Sequence, residues 1–187
     1  VLTPKSLLRH KQSVSPLEDL SDGRFHRMIP EIEDLSPEQV TRLVFCSGKV
    51  YYDLLEARRE QAIDHVAIIR LEQLYPFPVR RYAQFIEHYA EAREIVWCQE
   101  EPQNQGAWYQ IRHRLQEPLS DNQQLYYAGR PGAAAPAAGL FKVHLQQQHA
   151  LIEAALGTKI EASKSDDPDR RRGKKKKKKK RKAKASG

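Results

Sequence analysis

Four short apolar runs constrain this chain more than any other feature. Leu43-Val44-Phe45-Cys46, Val66-Ala67-Ile68-Ile69, Ile95-Val96-Trp97-Cys98 and Leu125-Tyr126-Tyr127-Ala128 lack the polar alternation of a half-exposed strand. Each therefore reads as a strand buried on both faces, as parallel sheets require. The segments between them read as helices. Ser47-Gly48 turns the first run into a helix over about 49–61, and Pro76 and Pro78 punctuate the loop after the second. Tyr82, Phe85, Ile86 and Tyr89 then fall at i, i+3, i+4 and i+7, one face of a helix. A further helix follows Gly106 and stops before Pro118. An Ala/Pro/Gly loop over 131–139 leads to a last helix over about 142–156, with Leu145, Ile152 and Leu156 expected on its inner face. Strand–helix alternation with short links predicts right-handed crossovers and helices on both sides of the sheet. The expected fold is an α/β/α sandwich with a mostly parallel sheet of about five strands, residues 24–32 adding an edge strand.

Charge divides the chain where periodicity stops. Residues 158–187 carry 15 Lys and Arg against 4 Asp and Glu, a net +11 in a chain whose total is +8; residues 1–157 therefore stand at −3. Seven adjacent lysines, Lys174 to Lys180, repel one another and bury nothing. Residues 158–187 are thus expected to form a disordered basic tail outside a folded domain over 1–157. Such a tail binds nucleic acid only non-specifically, since it lacks stacking aromatics and a groove. Cys46 and Cys98 lie inside apolar runs and read as buried thiols. No apolar run approaches the roughly 18 residues of a membrane span. The chain opens on Val1 rather than Met, which fits a portion of something longer.

No catalytic constellation is visible. Ser47-Gly48-Lys49 follows a strand and opens a helix, but Leu43 and Val50 stand where a phosphate loop needs Gly and Ser or Thr. Some anion contact at this turn and a plain tight turn both remain open. Glu100-Glu101 follows the third buried run, where ligands lie in parallel sheets. Neighbours on a strand point to opposite faces, so the two carboxylates are poorly placed to act together. The histidines show no metal-ligand spacing, and no serine sits in a GxSxG elbow. Trp97 and Trp108 read as core or interface aromatics.

Longer stretches add a resemblance. They are Thr3-Pro4-Lys5-Ser6-Leu7-Leu8-Arg9-His10, Cys46-Ser47-Gly48-Lys49-Val50-Tyr51-Tyr52-Asp53, Arg70-Leu71-Glu72-Gln73-Leu74-Tyr75-Pro76-Phe77-Pro78, and Trp97-Cys98-Gln99-Glu100-Glu101-Pro102 with Asn104-Gln105-Gly106-Ala107-Trp108. Tyr127-Ala128-Gly129-Arg130-Pro131 completes the set. Over about residues 2–157 the chain resembles the C-terminal end of the 2-oxoglutarate dehydrogenase decarboxylase component, of proteobacterial type. The resemblance implies a transketolase-like C-terminal domain. It also implies a parent enzyme that uses thiamine diphosphate and Mg²⁺, bound in preceding domains, and passes succinyl to a lipoyl group of dihydrolipoyl succinyltransferase. The domain's implied roles are packing against those domains and a second subunit of a homodimer and, in some members, regulation. The implied compartment is the bacterial cytoplasm, or the mitochondrial matrix in a eukaryote.

Two sets of residues carry expectations about sites. Glu100, Glu101, Gln105 and Trp108 follow a strand end and are expected on an exposed interface loop. Arg9, Lys49, Arg70 and Arg130 are candidates for an anion patch, which the phosphates of acetyl-CoA would suit. The competing expectation pairs those cations with Asp53, Glu72, Glu100 and Glu101. No residue is assigned to catalysis, cofactor or metal. Two other classes stay open: a free-standing protein binding an anion at the strand ends, and a nucleic-acid binder acting through the tail.

Overall fold

A computed structural model describes residues 4–158. Its sheet contains β1 (Met28–Ile29), β2 (Arg42–Cys46), β3 (Val66–Leu71), β4 (Glu94–Pro102) and β5 (Gln124–Arg130). The order is β1-β3-β2-β4-β5; β1 runs antiparallel at the edge and the other neighbours are parallel. All four apolar runs are strands of this sheet, and the 24–32 segment supplies the short β1. Beyond Thr158 the expected tail lies outside the described residues.

The helices are α1 (Glu18–Ser21), α2 (Val50–Glu60), α3 (Val79–His88), α4 (Trp108–Gln116) and α5 (Phe141–Leu156). Short 3-10 turns at Lys5–Arg9 and Pro37–Gln39 precede β2. The period-2 geometry of the central strands sorts residues into two cores. Leu43, Phe45, Ile95 and Trp97 face α3 and α4, against Tyr82, Phe85, Ile111 and Leu115. Val44, Cys46, Val96 and Cys98 face α2 and α5, against Val50, Leu54, Leu151 and Ala155. Cys46 and Cys98 sit opposite each other on β2 and β4. Both thiols are fully buried, and burial pushes them well above the ordinary thiol range, which makes them inert.

The last helix differs from expectation. Its buried residues are Gln148, Leu151, Ala155 and Leu156, while Leu145 is 40% exposed. Gln148 turns inward because three polar groups from other elements bond its amide, and the small Ala155 lets the helix approach the sheet. Hydrogen bonding therefore rotates the face that apolar spacing alone would choose.

Two buried arginines join distant segments. Arg58 on α2 forms a two-pronged ion pair with Glu31, the second contact 2.9 Å, and donates to the Val66 carbonyl. Glu31 also accepts from the amide of Ile68 at 2.7 Å, serving β3 where the short β1 has ended. Arg42 donates to the carbonyls of Ala154 and Ala155 and pairs with Glu94 at 2.6 Å, so a cation caps the C-terminus of α5. Gly157 then closes the helix at φ +80°, with the Arg42 guanidinium 2.9 Å from where a Cβ would stand.

Candidate functional site at the carboxyl ends of the strands

The loop after β4 is organised by Gln99, whose side chain is buried. Its carbonyl oxygen accepts from Trp97 Nε1 at 2.9 Å and from the Trp108 amide at 3.1 Å. Its amide nitrogen donates to the carbonyls of Glu101, Pro102 and Gln105. One side chain thus joins the strand, the loop and the first turn of α4. Gly106, at φ +66°, brings the backbone so close that a Cβ would stand 2.8 Å from this amide. The outer part of the loop is tied to the next one: Asn104 and Gln105 both donate to the Ala133 carbonyl.

Glu100 and Glu101 diverge to opposite sides of the sheet. Glu100 points toward α2 and α5, where Lys49 Nζ lies 2.9 Å from it and 3.3 Å from Asp53. Gln148 donates to Asp53 at 2.8 Å and to Glu100 at 3.0 Å, and its oxygen accepts from Arg130 at 3.0 Å. Arg130 also donates to Nδ1 of His144 at 3.0 Å. A guanidinium only donates, so this contact puts the imidazole proton on Nε2. Burial pulls the Lys49 ammonium down, but hydrogen bonding and charge from Glu100, with Asp53, outweigh it and hold its pKa above the usual lysine value.

Glu101 points the other way. It lines a cleft of about 720 Å³ between the 74–79 loop and α4, and its carboxylate pairs with no cation among the described residues. Phe77, Trp97 and Ile111 give the cleft an apolar interior, and His113 and Arg114 stand on its α4 wall. Leu74, Tyr75 and Val79 form its other lip, Tyr75 being 91% exposed.

The expected anion patch is brought together only in part. Lys49 and Arg130 share one network, but its carboxylates already answer the ammonium. Arg70 pairs with Glu72 at 2.9 Å and lies over the Tyr51 ring at 4.8 Å. Arg9 is exposed in the first 3-10 turn, with no ion pair among the described residues. The expected interface loop needs one correction: Trp108 is 9% exposed and belongs to the α3/α4 core, its ring 5.0 Å from that of Tyr127. It opens α4, and its indole is drawn inward with the helix. Glu101 is exposed, Gln105 half-buried, and Glu100 engaged in the network.

Reading the sequence missed Gln99, Gln148 and Glu31. Gln99 carries a signal in hindsight, a polar residue continuing an apolar run beside a Gly-containing loop. Gln148 and Glu31 carry none, because their partners lie far away in the chain. Among the described residues no group of three His, Cys, Asp or Glu side chains is placed to hold a metal ion. No helix among them is long and apolar enough to cross a membrane.

Comparison with known proteins matches this arrangement. A family model described as 2-oxoglutarate dehydrogenase C-terminal covers residues 14–156. The 2-oxoglutarate dehydrogenase E1 component of Cupriavidus necator is 54% identical over 155 residues, which are 83% of this chain and 16% of that protein. Its counterpart in Coxiella burnetii is 52% identical over 158 residues, 83% of this chain and 17% of that one. The chain thus spans about a sixth of the length of these curated relatives. A solved structure described as a split-gene transketolase, an inactive β4 tetramer, superposes with a TM-score of 0.53 at 13% identity, over 73% of this chain and 44% of that one. That likeness bears on the fold alone, and it agrees with the α/β sandwich of five mostly parallel strands. On the family match and the identity to these relatives, the chain belongs to the 2-oxoglutarate dehydrogenase C-terminal family.

Proposed function

We propose that this chain is the packing and docking domain of an enzyme that decarboxylates 2-oxoglutarate, and that it performs no chemistry itself. The observation that carries the reading is the open apolar cleft. An exposed Tyr75, a bare Glu101 carboxylate and an apolar interior share one mouth, and apolar concavities with a few polar groups are where partners and ligands bind. The occupant in this reading is the rest of the enzyme: a preceding domain of the same subunit or the second subunit of a homodimer. Thiamine diphosphate and Mg²⁺ would be held by those preceding domains. The succinyl group would leave on the lipoyl arm of a dihydrolipoyl succinyltransferase, in the cytoplasm of a bacterium.

The domain in this reading ends near Gly157, where α5 is capped. The Lys49–Arg130 network is then a lock that sets α5 against the strand ends rather than an acetyl-CoA phosphate patch, since Glu100 and Asp53 answer Lys49, and Gln148 and His144 hold Arg130. Assay of the isolated chain for 2-oxoglutarate decarboxylation should give none. In the full-length enzyme, Tyr75→Ala with Glu101→Ala should weaken dimer or domain packing and lower activity. Decarboxylation by the isolated chain, or an unaffected full-length variant, would overturn the proposal.

A further inference from the structure

The start of α5 is held to the domain at one point. No residue of this helix before Gln148 is buried, Leu140 and Phe141 are 70% and 75% exposed, and no side chain caps the first turn. Among the described residues, a single side-chain hydrogen bond ties residues 141–147 to another element: the contact of His144 Nδ1 with the Arg130 guanidinium, at 3.0 Å. The strand end of this contact is fixed. Arg130 closes β5, and its carbonyl accepts from the amide of Gln103 and from the Tyr127 hydroxyl. The helix end is not fixed in this way. The loop over 131–140 is exposed apart from the half-buried Ala138, and its side-chain ties to the domain, from Asn104 and Gln105, stop at Ala133.

This one contact depends on the charge of a ring. A guanidinium has only donors, so Nδ1 must offer a lone pair and the imidazole must be neutral. A proton on Nδ1 would replace the bond with two facing cations. Arg130 is 5% exposed, its Nε meets no acceptor, and its other side-chain partner is the neutral amide of Gln148. Glu100 on β4 and Asp53 on α2 reach the network through Gln148 and are answered by Lys49. On α5 itself, the Phe141 ring stacks on the imidazole at 6.3 Å, and the exposed Lys142 adds a like charge. An added proton therefore meets repulsion from Arg130 and no carboxylate of its own. Histidine is the side chain that changes charge between about pH 5 and 8. We propose that His144 is a proton-operated latch: its neutral ring holds residues 141–147 of α5 on Arg130, and protonation releases them while Leu151, Ala155 and Leu156 stay packed on the sheet. The latch is complete at neutral pH and is lost as pH falls through the histidine range. Release carries Leu140 and Phe141 with it, so the domain presents a different surface beside the strand ends in mild acid. The latch does not rest on the docking role of the apolar cleft.

The test is amide hydrogen exchange of the 187-residue chain at about pH 7.5 and about pH 5.5, with each rate divided into the intrinsic rate at that pH. Protection at residues 145–147 should fall at least about tenfold between the two, while protection at 151–156 holds. Both values lie above the 4.5 of an ordinary glutamate, and Glu31 is held lower still, so its pair with Arg58 stays charged throughout. His144→Asn keeps an acceptor for Arg130 that takes up no proton, and 145–147 should then stay protected at both pH values. His149→Asn changes an exposed histidine of the same helix and should leave the response intact. Nitrogen NMR of the wild-type imidazole reads the latch without a substitution: at about pH 7.5 the ring proton should sit on Nε2. A proton on Nδ1 at that pH, unchanged protection at 145–147, a loss spread evenly along α5, or the same loss in His144→Asn would each overturn the proposal.

Discussion

The two faces of the sheet treat charge in opposite ways. On the α2/α5 face, Arg58 answers Glu31, and Lys49 answers Glu100 and Asp53. There Gln148 carries the chain of hydrogen bonds on to Arg130. On the α3/α4 face, Glu101 and the exposed Arg24, Arg27 and Arg80 stand without a side-chain partner among the described residues. A buried charge costs several kcal/mol unless paired, whereas an exposed one costs little. The first face is therefore largely satisfied within the domain, apart from Arg130, which is buried against Gln148 and His144 with no acid beside it and with its Nε unpartnered. The second leaves open what a partner or ligand must cover.

Breaking the finished face should give the largest effect. Glu31→Ala strands the Arg58 guanidinium, 2% exposed, and takes the acceptor from the Ile68 amide. The expected loss is about 3–5 kcal/mol, read by chemical denaturation. Gln148→Ala should follow at about 2 kcal/mol, because Arg130 loses an acceptor in a buried place. A neutral result for Glu31→Ala would mean that the face is not locked by its charges.

The pH dependence sharpens the same point. Burial raises the Glu31 pKa, but the hydrogen bond from Arg58 and the amides of Glu33 and Ile68 outweigh it, leaving a net lowering from 4.5. A carboxylate lowered on folding stabilises the fold at pH above its unfolded value, and that stability is lost as pH falls through the folded value. The melting temperature should therefore drop below about pH 4.5, and Glu31→Gln should flatten this limb. Lys49, raised on folding, acts at the other end. Its contribution is complete below the ordinary lysine value of 10.5 and fades only as pH rises through the raised one.

How legible the molecule is from sequence follows the range of the forces involved. The strands were readable because Leu43 to Cys46 or Ile95 to Cys98 are local runs whose period reports burial directly. The divergence of Glu100 and Glu101 was readable for the same local reason. The inner face of α5 was not, because Gln148 is held by Asp53, 95 residues away, and by Glu100, 48 away. The Arg42 cap on α5 spans 112 residues and leaves no periodic trace. Trp108 was misplaced onto the surface because a loop motif hides where its last residue begins a helix.

On the open face the expected effects in the isolated chain are small. Glu101→Ala and Tyr75→Ala remove no side-chain hydrogen bond or ion pair among the described residues and should each change stability by less than about 0.5 kcal/mol. A loss above about 1 kcal/mol would mean that these groups serve the domain rather than a partner.

Hydrogen exchange in the loop after β4, which leads onto the cleft at Gly106 and Ala107, tests the docking role most directly. The amides of Asn104, Gly106 and Ala107 donate to no acceptor among the described residues, so nothing inside the domain protects them. They should exchange near the unprotected rate in the isolated chain and at least tenfold more slowly in the full-length enzyme. Amides of β2 should be protected in both. Equal exchange at Asn104, Gly106 and Ala107 in the two proteins would show that the cleft stays open in the assembled enzyme and would contradict the account.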